Sequence, residues 1–339
     1  MGILVLGMHR SGTSALAGAL EAMGYEVGPA DDVMPADDGN PEGYYELLSV
    51  VRANDALLAH FGGRWDSPPE LAPGWTDADV CVEFVDAARS MVAELFEGEH
   101  YLLKDPRVSL LLPLWRRVTN DRGCAVAIVR DPLEVAASLA RRNGIPTLTG
   151  LALWAAYNRA MLRDLEGAKV HVCSYTDLIE RPDEVLTDVA RSLREWGETI
   201  SDEELSRAVS SIRPELRRNA VVSDDLQTGA SPVEVTELMK VALDLRGRHD
   251  AFTLGTVLEP GWWEGPLLEE RRVLLQWGLA AIGALELHNS ELRTENAILW
   301  EKSEIAEREA DRLRGRIDGV RRMVPGPLYT LVTKLARRS

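Results

Sequence analysis

Gly2-Ile3-Leu4-Val5-Leu6-Gly7-Met8-His9-Arg10-Ser11-Gly12-Thr13-Ser14-Ala15-Leu16-Ala17-Gly18-Ala19-Leu20 opens the chain and carries its strongest structural signal. It begins with a short apolar run that includes β-branched residues, passes through a loop framed by Gly7 and Gly12, and ends in an Ala- and Leu-rich segment. That order reads as strand, glycine loop, helix. Such a loop gathers several backbone N–H groups at a helix N-terminus, where unsatisfied amides and the positive end of the helix dipole favour an oxyanion. The stretch is expected to cradle a phosphate or a sulfate ester.

The loop's side chains narrow the ligand. Gly7 and Gly12 have the spacing of a nucleoside-triphosphate loop, GxxxxGK[ST], but Thr13 stands where the lysine that reaches the β- and γ-phosphates belongs. The cation comes earlier, at Arg10, beside the hydroxyls of Ser11, Thr13 and Ser14. This disfavours a kinase or NTPase. An idle loop in an ordinary α/β protein would carry the same glycines, so support has to come from elsewhere in the chain.

Beyond this stretch the sequence alternates buried strands with helices. Gly24 to Gly43 is an acidic loop rich in Pro, Gly and Asp, followed by helical spacing over Glu46 to Phe61 and Ala78 to Phe96. His100 to Lys104, Cys124 to Val129 and Lys169 to Cys173 read as strands. Helices are expected over Val108 to Val118, Leu133 to Arg141, Leu151 to Leu165 and Asp183 to Trp196. Continuous apolar strands alternating with helices predict an α/β fold, a parallel sheet flanked by helices. Ligands of such sheets bind at the carboxyl ends of the strands, where Gly7, Lys104, Arg130 and Ser174 all fall.

These residues carry a family resemblance. Arg10-Ser11-Gly12-Thr13-Ser14 after an N-terminal strand resembles the 5′-phosphosulfate loop of sulfotransferases that use 3′-phosphoadenosine-5′-phosphosulfate (PAPS). Arg130-Asp131-Pro132, with Ser138 eight positions after the arginine, is similar to the family's 3′-phosphate motif. Taken alone, it would read as an Asp131 N-cap with Pro132 at the first helical position. Ser174-Tyr175-Thr176-Asp177-Leu178 looks like the segment whose aromatic lies near the nucleotide. The resemblance implies PAPS as donor with no metal required. It implies Arg10, Ser11, Gly12, Thr13, Ser14, Arg130, Ser138 and Tyr175 as donor-binding residues, and Arg217, with Arg213 and Arg218 nearby, as a late cation for the 3′-phosphate.

Two departures from the family pattern bear on the chemistry. The Arg-Lys-Gly and GxxGxxK ending of cytosolic members is absent. Their Lys-x-His also becomes Lys104-Asp105-Pro106, which keeps a catalytic lysine but loses the histidine base. Carbohydrate-directed and many bacterial members use a glutamate shortly after the first helix. Gly43-Tyr44-Tyr45-Glu46 matches that region, so Glu46 is the expected base and Glu42 the second choice. Arg10 and Lys104 would stabilise charge on the leaving oxygens. Arg107 is a candidate for the acceptor, and His9 is either a donor to the sulfate or a packing residue. The implied acceptor is a hydroxyl of a carbohydrate or glycolipid.

The remainder of the chain frames these expectations. A net charge of −16 over 339 residues excludes non-specific nucleic-acid binding by the body of the chain. Three widely spaced cysteines give neither a disulfide framework nor a metal pair, which fits a cytoplasmic protein. Residues 1–220 are expected to form the sulfotransferase-like domain and 221–284 a C-terminal helical extension of unassigned topology. Over 285–320, Leu285, Leu292, Leu299, Ala306, Leu313 and Val320 recur every seven residues with Asn289 and Asn296 in companion positions, a coiled coil that would make a homodimer, or else a long solvated helix. The tail 321–339 carries five cations and no acid, which leaves −21 for the rest, and its interleaved Leu328, Leu331 and Leu335 suit peripheral contact with an anionic membrane. A catalytically silent scaffold built on the coiled coil is the alternative from another class.

Overall fold

The computed structural model describes residues 2–37, 40, 43–69, 71–72, 74–98, 100–120, 123–213 and 233–255. Arg217, Glu42, the heptad segment and the basic tail lie outside the described residues.

The opening stretch folds as strand β1 (Ile3–Leu6) and helix α1 (Thr13–Ala22). Two helices follow, α2 (Leu48–His60) and α3 (Asp79–Leu95), before strand β2 (Leu102–Lys104). Helix α4 (Leu112–Val118) leads to β3 (Cys124–Val129), and α5 (Pro132–Asn143) and α6 (Thr147–Asp164) lead to β4 (Val170–Ser174). After it come α7 (Tyr175–Glu180), α8 (Pro182–Glu195), α9 (Asp202–Ser211), α10 (Val233–Asp244) and a short strand β5 (Gly247–His249).

The strands form one sheet in the order β2-β1-β3-β4-β5. β1 runs parallel to both neighbours, with Ile3 opposite Leu102 and Cys124, and β3 runs parallel to β4. Only β5 is antiparallel, pairing His249 with Val170. It lies in the stretch expected to be mostly helical, where a three-residue Gly-Arg-His strand leaves no alternation to detect.

Side-chain alternation in β1 shows why its sequence is apolar throughout. Ile3 and Val5 face a core built with α1, α7, α8 and α9, whereas Leu4 and Leu6 face a core built with α2 to α6 and α10. A strand covered on both faces has no polar side to show. Chain direction then places the site: the chain leaves β1 for β2 on one side, then returns past it to β3 on the other. The strand connections diverge at the carboxyl ends of β1 and β3, where such sheets open a crevice.

One expected helix is divided. Val108 to Val118 is a 3-10 turn over Pro106–Ser109 followed by α4. Pro113 lacks the N–H needed to continue a helix from Val108, so it sits in the first turn of a new one. The three cysteines are buried thiols. No helix among the described residues is long and apolar enough to cross a membrane.

Candidate active site

The glycine loop takes its shape from backbone conformations that side chains resist. Gly12 caps α1 in the left-handed region at φ 93°, and a Cβ there would lie 2.2 Å from the ring of Tyr175. Gly7 has φ 147°, and a Cβ would lie 2.7 Å from the Ile128 carbonyl oxygen. Both glycines are therefore required by close approach as well as by φ. The Ser11 N–H closes a turn by donating to Met8 O at 3.1 Å, and Ser11 itself is fully buried. Ser109, from the 3-10 turn after β2, grips the loop's start: its Oγ accepts from Gly7 N at 3.0 Å and donates to Gly7 O at 3.2 Å.

Three cations reach the cleft from the ends of three adjacent strands. Arg10 follows β1, and its Nε donates to Ser138 Oγ on α5 at 2.9 Å. Lys104 ends β2; its Nζ pairs with Glu46 Oε1 at 2.5 Å and donates to Ser14 Oγ at 3.3 Å. Arg130 follows β3, donating through Nη1 to Arg10 O at 3.0 Å and through Nε to Glu134 Oε2 at 2.8 Å. Its guanidinium also lies 4.2 Å from the centre of the Tyr175 ring. The structure thus brings Arg10, Gly12, Thr13, Ser14, Glu46, Lys104, Arg130 and Tyr175 to one cleft, with Ser138 bonded to Arg10 behind it.

The cleft's electrostatics are unlike the chain's. Among the described residues its lining carries Arg10, Lys104, Arg130, Arg141, Arg142 and Arg213 against a single carboxylate, Glu46. This concentration of positive charge in a chain of net charge −16 marks a site for a polyanion. The crowding is felt by the groups themselves. Burial and the field of Arg142, with Arg130 and Arg141 behind it, lower the Arg10 pKa. Burial and the neighbouring Arg107, Lys104, Arg10 and Arg142 hold His9 well below the usual imidazole range, so its ring is neutral. Burial raises the Glu46 carboxyl, and Lys104 works against that rise.

Buried networks hold the cations in place. Asp105 caps the turn after β2 and accepts from Arg107 N at 3.0 Å, Arg107 Nη1 at 2.9 Å and Asn54 Nδ2 at 2.8 Å. Trp115 Nε1 donates to Asn54 Oδ1 at 2.9 Å, which ties α2, α4 and the end of β2 together. Arg107 is spent on Asp105 and Asp55. These pairs fix its guanidinium to the end of β2 and to α2. Asp131 caps α5, accepting from Leu133 N and Glu134 N, and Trp154 Nε1 donates to Arg130 O at 2.9 Å. His9 packs against Trp65, with ring centres 4.6 Å apart, and edge-on to Tyr157 at 5.7 Å.

Several of these residues carry no sequence signal of their role. Ser109 and Asn54 act over separations that only the fold closes, and Asp105 joins its local cap and Arg107 pair to a bond from Asn54, 51 residues away. The same holds for a rim cluster in which the Tyr44 hydroxyl donates to Asp37 Oδ1 at 2.6 Å and Arg142 donates to Asp37 Oδ2 at 2.9 Å. Glu134 differs, because its place four residues after Arg130 is the spacing of a helical ion pair.

The fit to a phosphosulfate nucleotide is testable on the atoms present. Among the described residues, the buried side-chain atoms without a hydrogen-bond partner are His9 Nε2, Ser11 Oγ, Arg130 Nη2 and Asn158 Oδ1. Three of these four belong to the loop and to Arg130. Leaving such groups unpaired is costly, and anionic ester oxygens would satisfy a guanidinium and a hydroxyl. The residues fit the group. Among the described residues, no three His, Cys, Asp or Glu side chains come together as a metal site.

No family model matches the chain, and no curated protein matches it. Solved structures similar to it include a sulfotransferase domain from the curacin biosynthetic pathway, with TM-score 0.43 and 17% identity over 70% of this chain and 95% of that one. A sulfotransferase domain from the Synechococcus PCC 7002 olefin synthase has TM-score 0.44 and 19% identity over 71% of this chain and 94% of that one. Retinol dehydratase in complex with androsterone and inactive cofactor PAP has TM-score 0.32 and 14% identity over 72% of this chain and 81% of that one.

Proposed function

We propose that this chain is a sulfotransferase that moves a sulfuryl group from PAPS to a hydroxyl acceptor of the carbohydrate or glycolipid class. The observation that carries the reading is the convergence of Arg10, Lys104 and Arg130, from the ends of three adjacent strands, on a glycine loop whose cleft has, among the described residues, one carboxylate, Glu46. The acceptor class rests on the carboxylate in the base position, since the heptad segment and basic tail fall outside the described residues.

The residues divide the work. The Gly7–Ser14 loop and Arg10 would hold the 5′-phosphosulfate, with amides and a guanidinium where negative charge collects. Arg130, with Nη2 unpaired, and Ser138 would hold the 3′-phosphate, and the Tyr175 ring, against both Gly12 and Arg130, would bound the nucleotide. PAPS supplies the transferable sulfuryl group when bound. Lys104 stands between Ser14 of the loop and Glu46, where it can neutralise charge on the leaving phosphate. Glu46 is buried and its pKa is raised by that burial, which makes it a stronger base than an exposed carboxylate. It would take the acceptor's proton as the oxygen attacks, and the product bisphosphate would leave with its charge matched by Lys104 and Arg10.

The test is formation of adenosine 3′,5′-bisphosphate from PAPS with a panel of hydroxyl-bearing glycans and glycolipids. Glu46→Gln should lower turnover at least about 100-fold, within the range of general-base contributions, and should still bind the bisphosphate. Unchanged turnover in Glu46→Gln would remove it from the mechanism.

A further inference from the structure

Tyr45 is one of three non-glycine residues with positive φ among the described residues, and two of the three, Arg10 at φ 68° and Tyr45 at φ 56°, border the cleft. A bulky L-residue avoids this left-handed region unless its surroundings hold it there. The chain on both sides of Tyr45 is held. Tyr44 O accepts from Ser14 Oγ at 3.4 Å, Glu46 O accepts from Met34 N at 2.7 Å, and Leu48 N donates to Asp32 O at 2.7 Å. Leu47 is buried and packs against Gly28, where a Cβ would lie 2.9 Å from its Cδ2. Between these anchors the turn at Tyr45 sends the tyrosine ring onto α1 and the Glu46 carboxylate inward to Lys104.

The partner of the ring on α1 is a glycine in mid-helix. Gly18 lies among Ala15, Ala17 and Ala19, where alanine would favour the helix and glycine weakens it. A Cβ at Gly18 would lie 2.9 Å from Tyr45 Oη and 3.2 Å from its Cζ. The helix therefore lacks a side chain at the one turn where the ring comes down.

We infer that Gly18 and Tyr45 form the seat that aims Glu46: the bare helix backbone receives the ring, the ring fixes the left-handed turn, and the turn sets the carboxylate against Lys104. Both are positioning residues that act through Glu46. The inference deepens the proposed mechanism and rests on Glu46 being its base.

The experiment follows the Glu46 carboxyl by carbon-13 NMR titration, assigned with Glu46→Gln, alongside calorimetric titration with adenosine 3′,5′-bisphosphate. Gly18→Ala should move the Glu46 midpoint by about half a pH unit or more while bisphosphate affinity stays within about threefold of wild type. Adding Tyr45→Phe removes the atom nearest the new methyl and should return the midpoint towards wild type, a coupling that two independent sites would not show. Tyr45→Gly keeps the left-handed backbone but deletes the ring, and should move the midpoint with Gly18 intact, so the test does not depend on Gly18→Ala folding. An unmoved Glu46 titration in Gly18→Ala and Tyr45→Gly would overturn the inference. So would lost bisphosphate affinity with an unmoved titration, which would show that Gly18 makes room for ligand instead. If wild type binds no bisphosphate yet the coupling appears, the donor reading fails and the seat stands.

Discussion

The two ends of the same sheet solve opposite problems. At the carboxyl ends of β1, β2 and β3, cations crowd together, glycines hold a loop open, and Ser11 Oγ and Arg130 Nη2 have no partner. At the amino end, ahead of β2, the polar groups satisfy one another. His100 Nδ1 pairs with Glu198 Oε2 at 2.6 Å, the Tyr25 hydroxyl donates to the same oxygen at 3.1 Å, and the two rings stack with centres 4.0 Å apart. The residues of β1 to β4 are buried along their whole length, so the contrast is chemical. One end spends its polar groups on one another, and the other leaves two buried ones unpaired, as the proposed anion site requires.

The contrast can be broken most forcefully at the cleft. Lys104 and Glu46 have side chains only 2% and 6% exposed, so removing one partner leaves the other charge buried. Lys104→Met should cost about 3 kcal/mol or more of stability by urea unfolding. The double variant Lys104→Met/Glu46→Leu should recover much of this, because a buried ion pair is replaced by packing. A loss below about 1 kcal/mol would mean that the pair is solvated.

A smaller effect lies at the start of β4, away from the cleft. His171 is buried, its Nδ1 lies 2.8 Å from Ser192 Oγ, and burial lowers its pKa to about 4. Between that value and the unfolded imidazole value of about 6.5, the unfolded chain binds a proton that the native state refuses. Stability from this group is full above the unfolded value and falls as pH drops through the window. From pH 7 to pH 5 it should fall by about 2 kcal/mol, and His171→Asn should lose that slope in unfolding experiments at the two pH values. An identical slope in the variant would assign the pH dependence elsewhere.

The amino end of the sheet should respond least. Glu198→Gln should lower stability by about 1 kcal/mol, the worth of weakened hydrogen bonds to Tyr25 and His100. It should leave bisphosphate affinity unchanged. Altered affinity would show that the amino end of the sheet communicates with the cleft.

What the sequence disclosed depended on how local the signal was. β1, the glycine loop and α1 are legible because a strand, two glycines and an alanine-rich helix follow one another within twenty residues. Arg130 and Ser138 lie on one strand end and its helix, whereas the expectation of a single helix at 108–118 misses its division, although Pro113 is a local signal for it. Ser109 gripping Gly7 across 102 residues is invisible in the chain, as is Trp115 steadying Asn54 across 61, because only tertiary folding joins them. The left-handed turn at Tyr45 has no signal in its residue type, since tyrosine ordinarily avoids it. β5 is too short to show a period.

The central claim is that the cleft reads a nucleotide by a 3′-phosphate as well as a 5′-anion. Calorimetric titration with adenosine 3′,5′-bisphosphate and with ATP, each with and without Mg²⁺, on wild type and Arg130→Ala, tests it most directly. Bisphosphate should bind at about micromolar affinity or tighter, indifferent to Mg²⁺, and at least about 100-fold more weakly in Arg130→Ala, the loss of a charge-assisted clamp. No bisphosphate binding, or a Mg²⁺-dependent preference for ATP that Arg130→Ala leaves intact, would contradict it.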